Sequence, residues 1–230
     1  MAIATTNDFN LNIGEIVEEA YERAGLEART GYDYRTARRS IDMMMLEWQN
    51  RGINLWTIES GTQTCTADTA TYTLDNDTID LMEAHMRLDA GDSSSQTDYQ
   101  LTRISTTMYA DIPNKLSTGQ PTQIWIQRLT TTPQFTLWPV PDDTQTYTVA
   151  FFRIRQIYDS GKPGSNNMDV PKRFIPALVS GLAYYIAMKK PESTERLPFL
   201  KQEYEEQWRL ASEEDRVKAA FRFVPWTGYT

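Results

Sequence analysis

Apolar residues along the first fifty positions recur with the period of a helix. Ile13, Ile16, Val17, Ala20, Tyr21 and Ala24 fall at i, i+3, i+4, i+7, i+8 and i+11, one unbroken stripe. Asn12 stands at the N-cap position with Glu15 three residues on, and Gly25 takes the left-handed place just past the end. A second helix follows a short turn containing Gly31, its stripe formed by Tyr34, Ala37, Ile41, Met44, Met45 and Trp48 and its end marked by Gly52. The run Asp42-Met43-Met44-Met45 is dense in methionine, which suits adaptable surfaces, but core packing is the expected role.

From Ile53 to about Tyr158 the period changes to that of strands. Residues 62–66 and 71–74 are short and Thr-rich, 79–88 is a strand of imperfect alternation, and 89–98 is a polar loop by composition. A short helix is expected over 104–109. Three strands then follow at 123–127, 134–138 and 146–155, the last two joined by a turn with Pro139, Pro141, Asp142 and Asp143. The block is expected to be antiparallel.

Helices return after the loop around Gly161 and Gly164. Asp169 is an N-cap candidate with Pro171 in the first turn, and the helix should run to about Lys190 before Pro191. It looks buried on nearly all sides, and Ala177, Ser180, Gly181, Ala183 and Ala187 are small enough to admit a neighbouring backbone. A last helix over about 198–218 carries Leu200, Tyr204, Trp208 and Ala211 on one face. The expected class is α+β: a helical layer built from helix pairs at about 12–51 and 169–218, and an inserted antiparallel β-unit at about 53–158. Residues 1–218 are read as a single domain, with an extended tail at 219–230.

Composition narrows the function. A chain of 230 residues can bury its own core. Its formal charge of −8 opposes the sequence-independent phosphate binding of basic domains, so DNA nearby would slide rather than be held. The single cysteine, Cys65, rules out an internal disulfide and a cysteine-based zinc site. No secretory signal opens the sequence, and the longest apolar stretch, 174–188, falls short of the roughly twenty residues a bilayer span needs. A soluble protein made in the cytoplasm, with no membrane partner, is the expectation.

Catalytic chemistry is hard to assemble. His85 is the only histidine, without the partners a nitrogen–sulfur metal site or a serine triad requires. Asp75, Asp77 and Asp80 read as turn residues, and Glu203, Glu205 and Glu206 as a solvated helix face, rather than as a catalytic carboxylate pair. No phosphate-binding glycine loop is present. The expectation is no enzyme, no metal and no cofactor. Arg35, Arg38 and Arg39 cluster on the second helix, either as a solvated face or as an ion-pair edge meeting acids such as Glu15, Glu18, Glu19 or Glu22 on a neighbouring copy. Near the last residue stand Phe221, Phe223, Val224, Pro225, Trp226 and Tyr229. Side chains of this size each favour burial by roughly 1.5–3 kcal/mol. The segment either folds back on its own domain or docks on another chain, and the docking tail is the expected role.

Taken in order, several pieces carry a resemblance. They are Asn12-Ile13-Gly14-Glu15-Ile16-Val17 with Ala20 and Gly25-Leu26, then Trp48-Gln49-Asn50-Arg51-Gly52, then Tyr72-Thr73-Leu74 before an acid-rich turn. Val170-Pro171 leading into Phe174-Ile175-Pro176-Ala177-Leu178 comes next, with Gly181-Leu182-Ala183 and finally Tyr204, Trp208 and Ala211. The order resembles the head-to-tail adaptor (connector) proteins of short-tailed bacteriophages, of the tail tubular A and packaged-DNA stabilisation (tail accessory factor) type. That resemblance implies a virion ring of twelve copies at the head–tail junction, between the portal protein ring and the tail nozzle protein, with DNA passing through its lumen. It implies that residues 221–229 dock on the portal and that loops of the β-block face the nozzle; the 89–98 loop has no counterpart. A neck or head-completion ring of a long-tailed phage, or a β-domain that binds or cleaves glycans, are the alternatives.

Overall fold

The computed structural model describes residues 11–52, 55–161 and 167–215. In chain order its elements are α1 (Ile13–Arg23), α2 (Gly31–Asn50), β1 (Ile58–Thr64), β2 (Thr71–Thr73), β3 (Thr78–Leu88), β4 (Thr97–Gln100), β5 (Thr102–Ile104) and α3 (Thr106–Ala110). They continue with β6 (Gln123–Gln127), β7 (Gln134–Trp138), β8 (Tyr147–Arg155), α4 (Ile175–Ala187) and α5 (Leu197–Glu214). The fold is α+β. The chain divides into two compact units, a helical one formed by the described residues up to Leu55 and from Tyr158 onward, and a strand-rich one at Trp56–Ile157.

In the helical unit, local chemistry sets the ends of α1. The Asn12 side chain accepts the Glu15 N–H at 2.9 Å while the Glu15 carboxylate accepts the Asn12 N–H at 2.8 Å, a complete capping box. At the other end Gly25 adopts φ +74, and the Leu26 N–H reaches back to the Tyr21 carbonyl at 2.9 Å. Gly31, expected in a turn, is instead the first residue of α2, because Thr30 and Asp33 cap one another just before it.

Helix α4 is the centre of this unit, with nine of its residues buried. A Cβ at Gly181 would stand 2.5 Å from Met44 Sδ and 2.7 Å from Tyr204 Cε2, so side chains of α2 and α5 occupy the space that this glycine leaves on α4. Its start differs from expectation. Neither the 3-10 turn at Lys172–Phe174 nor the helix that follows it has a side-chain cap; the Asp169 carboxylate accepts the Tyr158 N–H at 3.1 Å. Pro176 explains the delay, since it has no N–H and is tolerated only in a first turn. The helix also ends at Ala187 rather than Lys190, and α5 is described as far as Glu214, residues 216–218 lying outside the described part.

The other unit holds two four-stranded sheets, ordered β1-β8-β3-β4 and β2-β7-β6-β5. The first is antiparallel throughout, but β5 runs parallel to β6, which corrects the expectation of a purely antiparallel block. A parallel pair needs a long crossover, and the connection containing α3 supplies it. One core joins both sheets, with Leu81, Met86 and Val149 from the first and Ile124, Phe135 and Leu137 from the second. Tyr72 anchors the turn before β2; its hydroxyl accepts the Thr66 N–H at 2.9 Å and donates to the Thr69 carbonyl at 2.8 Å.

Candidate interaction surfaces

Polar clamps fix the helices around α4. Trp48 Nε1 donates to the Tyr204 hydroxyl at 2.9 Å, and the Tyr185 hydroxyl donates to Glu47 at 2.6 Å. The Arg51 guanidinium pairs with Glu47 and with both Glu205 oxygens at 3.1 Å, and lies 4.5 Å over the Trp208 ring. Burial, helped by Glu47, pushes the Tyr185 hydroxyl up to about 12. Burial disfavours the Arg51 charge, yet Glu205 and Glu47 outweigh it and the group is held more basic than usual. Arg23 ties α1 to α5 and α4 through Glu203 at 3.0 Å and Ser180 Oγ at 3.1 Å.

With these side chains turned inward, α2 shows a second stripe on its opposite side. Ala37, Ile41, Met44, Met45 and Trp48 are buried, whereas Tyr32, Met43 and Leu46 are 64, 60 and 58% exposed. Core packing therefore holds for Met44 and Met45 and not for Met43. The arginine cluster divides. Arg38 is half-buried and points to the Ser160 carbonyl at 3.5 Å; among the described residues Arg35 bonds the Gly31 carbonyl of its own helix alone, and exposed Arg39 has no ion pair. Of the acids expected opposite them, Glu15 is held in its capping box, Glu19 pairs with Arg23 at 2.9 Å and Glu18 accepts the Tyr34 hydroxyl at 2.7 Å. On α5, Phe199 and Leu210 are 68 and 47% exposed. The aromatic tail residues Phe221, Phe223, Val224, Pro225, Trp226 and Tyr229 lie outside the described residues.

Sequence reasoning missed Tyr32, Leu46, Phe199 and Leu210 as surface features. The signal was present: each falls on a helix flank away from the apolar stripe, where a large hydrophobic group has no core to enter.

In the strand-rich unit an open groove of about 650 Å³ crosses the first sheet, lined by Ser60, Thr62, His85, Arg87, Asp98 and Phe152. Its one acid is committed, both Asp98 oxygens accepting from Arg87 at 2.8 and 2.7 Å, which holds the carboxyl below the usual range. Of the carboxylates considered as a catalytic pair, Asp75 and Asp77 meet on one nitrogen of Arg153 at 3.1 and 2.7 Å, while Asp80 pairs with Arg103, Glu203 with Arg23 and Glu205 with Arg51. Hydrogen bonds hold the Asp33, Glu59, Asp92, Asp98 and Asp142 carboxyls below the usual range, so these five are not poised as acids near neutral pH. The described residues hold no cluster of three or more metal-ligating side chains, and no described helix is long and apolar enough to cross a membrane.

Residues 11–224 match a family model described as SU10 adaptor protein. No curated protein is significantly similar to the chain.

Proposed function

Because the chain belongs to the SU10 adaptor protein family, we propose that it is a structural virion protein of a bacteriophage, an adaptor between head and tail rather than an enzyme. Copies form a ring that clasps the portal on one side, receives the tail nozzle on the other and continues the DNA channel between them. The observation that carries this reading is the family match over residues 11–224, which includes residues of both compact units.

The chemistry is consistent with that role. Twelve copies would carry on the order of a hundred formal negative charges, a lining along which DNA slides without sequence-specific binding. Residues 1–218 act as one adaptor body, and residues 219–230 dock on the portal through Phe221, Phe223, Val224, Pro225, Trp226 and Tyr229. Arg35 and Arg39 keep their charges available for a neighbouring copy. Arg38, Glu15 and Glu19 can join such a contact only by sharing the partners they already hold within their own chain.

The test is the mass of the full chain alone and after mixing with its portal ring. Binding of several copies per portal, twelve on a twelvefold portal, is expected; a chain that stays single beside the portal overturns the reading. Recovery of the assembled particle with a short nozzle, rather than a long tail tube, checks the type of tail.

A further inference from the structure

A ring needs each copy to present two unlike surfaces that fit one another, and the helical unit carries such a pair. Tyr32, Arg35, Arg39, Met43 and Leu46 follow one another along α2 at i, i+3, i+7, i+11 and i+14. Phe199, Gln202, Glu206, Leu210 and Glu213 do so along α5 with the same spacing. Both stripes are exposed, and both combine large apolar groups with charge. Their charges are opposite.

Resting on the ring reading above, we propose that the outer stripe of α2 in one copy packs against this flank of α5 in the next. Single exposed hydrophobic residues are ordinary, but five of them aligned on two helices are a contact surface awaiting cover. The occupant is a second copy, because the complementary half of each stripe is found on the same chain. Apolar exposure selects α5 over α1 as the acidic side. On α1, Glu15, Glu18 and Glu19 are engaged within the chain, and exposed Glu22 has no exposed large hydrophobic residue of its helix beside it. Glu206 and Glu213, by contrast, stand on one flank with exposed Phe199 and Leu210; Glu206 has no partner among the described residues and Glu213 has an exposed one-turn pair with Arg209. Because unlike faces meet, the contact is heterologous: each added copy leaves one face of each kind free. Repetition closes into a ring when the rotation between neighbours divides a full turn, as docking on a closed portal ring would impose.

Two full-length variants test this. Met43→Glu with Leu46→Glu spoils α2, and Phe199→Glu with Leu210→Glu spoils α5; glutamate keeps helix propensity, and acid on both faces prevents a compensating attraction. Native mass measurement of each, with and without the portal ring, should show at least a tenfold loss of ring relative to the wild type. Mixing the two variants should yield a two-chain species and no ring, since one intact α2 stripe then meets one intact α5 flank. Either variant assembling like the wild type, or a mixture without the pair, overturns the proposal while leaving the adaptor reading in place. A variant that loses its fold places these residues in the chain's own packing and overturns it equally. A wild-type chain that never assembles, even on the portal, defeats the ring itself.

Discussion

The two compact units treat their charges differently. In the strand-rich unit the arginines are spent internally: Arg153 meets Glu59, Asp75 and Asp77, Arg155 meets Glu59, Arg87 meets Asp98 and Arg103 meets Asp80. In the helical unit Arg23 and Arg51 are spent the same way around α4, but Arg35 and Arg39 point outward beside exposed Tyr32, Met43 and Leu46. The contrast separates two uses of one residue type. An arginine ringed by its own acids holds a fold together, whereas one beside uncovered hydrophobic groups is, on the proposal above, placed for another chain.

The largest expected effect separates partner contact from folding. Deleting residues 219–230 should leave thermal unfolding unchanged and abolish portal binding, measured by co-sedimentation; a truncated chain that unfolds would put the aromatic tail in its own core. Next comes the α4 crossing. Gly181→Leu should lose about 3 kcal/mol or more in urea unfolding, because Met44 and Tyr204 already fill the space and Tyr204 is held by Trp48. A loss below about 1 kcal/mol would mean the helices separate easily.

Removing Arg153 tests the closed side of the contrast. Arg153→Met should cost about 2 kcal/mol, between the values for exposed and buried ion pairs, and Arg39→Met should change stability by less than about 0.5 kcal/mol. Equal losses would erase the distinction drawn above.

The smallest effect is a pH dependence. Hydrogen bonds from Arg155 and Arg153 hold the Glu59 carboxyl below its ordinary range, and Thr30 holds Asp33 down likewise. A depressed carboxyl contributes stability above its unfolded value near 4, lost as pH falls through the folded value. Unfolding temperature should therefore be flat at neutral pH and decline below about pH 5, and Glu59→Gln should soften that decline. An unchanged acid limb in Glu59→Gln would assign it to other carboxylates.

Legibility in the sequence followed locality. α1 could be read to its caps because Asn12, Glu15 and Gly25 act within a few residues of one another. β6 and β7 emerged with their observed bounds because β-branched and aromatic residues fill short runs between turns. β4 escaped notice because all four of its residues are exposed and show no alternation, and the parallel pairing of β5 with β6 depends on a crossover that no local pattern encodes. The Asp169 cap misled because its carboxylate accepts the N–H of Tyr158, a residue well earlier in the chain that no local pattern links to it. At the candidate surface the arginine cluster was visible, but which member stays free depends on a carbonyl more than a hundred positions away in the chain, that of Ser160.

The first and last strands of the β-unit have a practical consequence. Ile58 and Ile154 are direct antiparallel partners, so the inserted segment leaves and returns through points only about 5 Å apart. Such a module can be exchanged as a cartridge: any foreign domain whose termini emerge as a hairpin stem presents the same junction to the flanking helices. A descendant chain could thereby acquire a new strand-rich unit without redesigning the helices on either side of it in sequence.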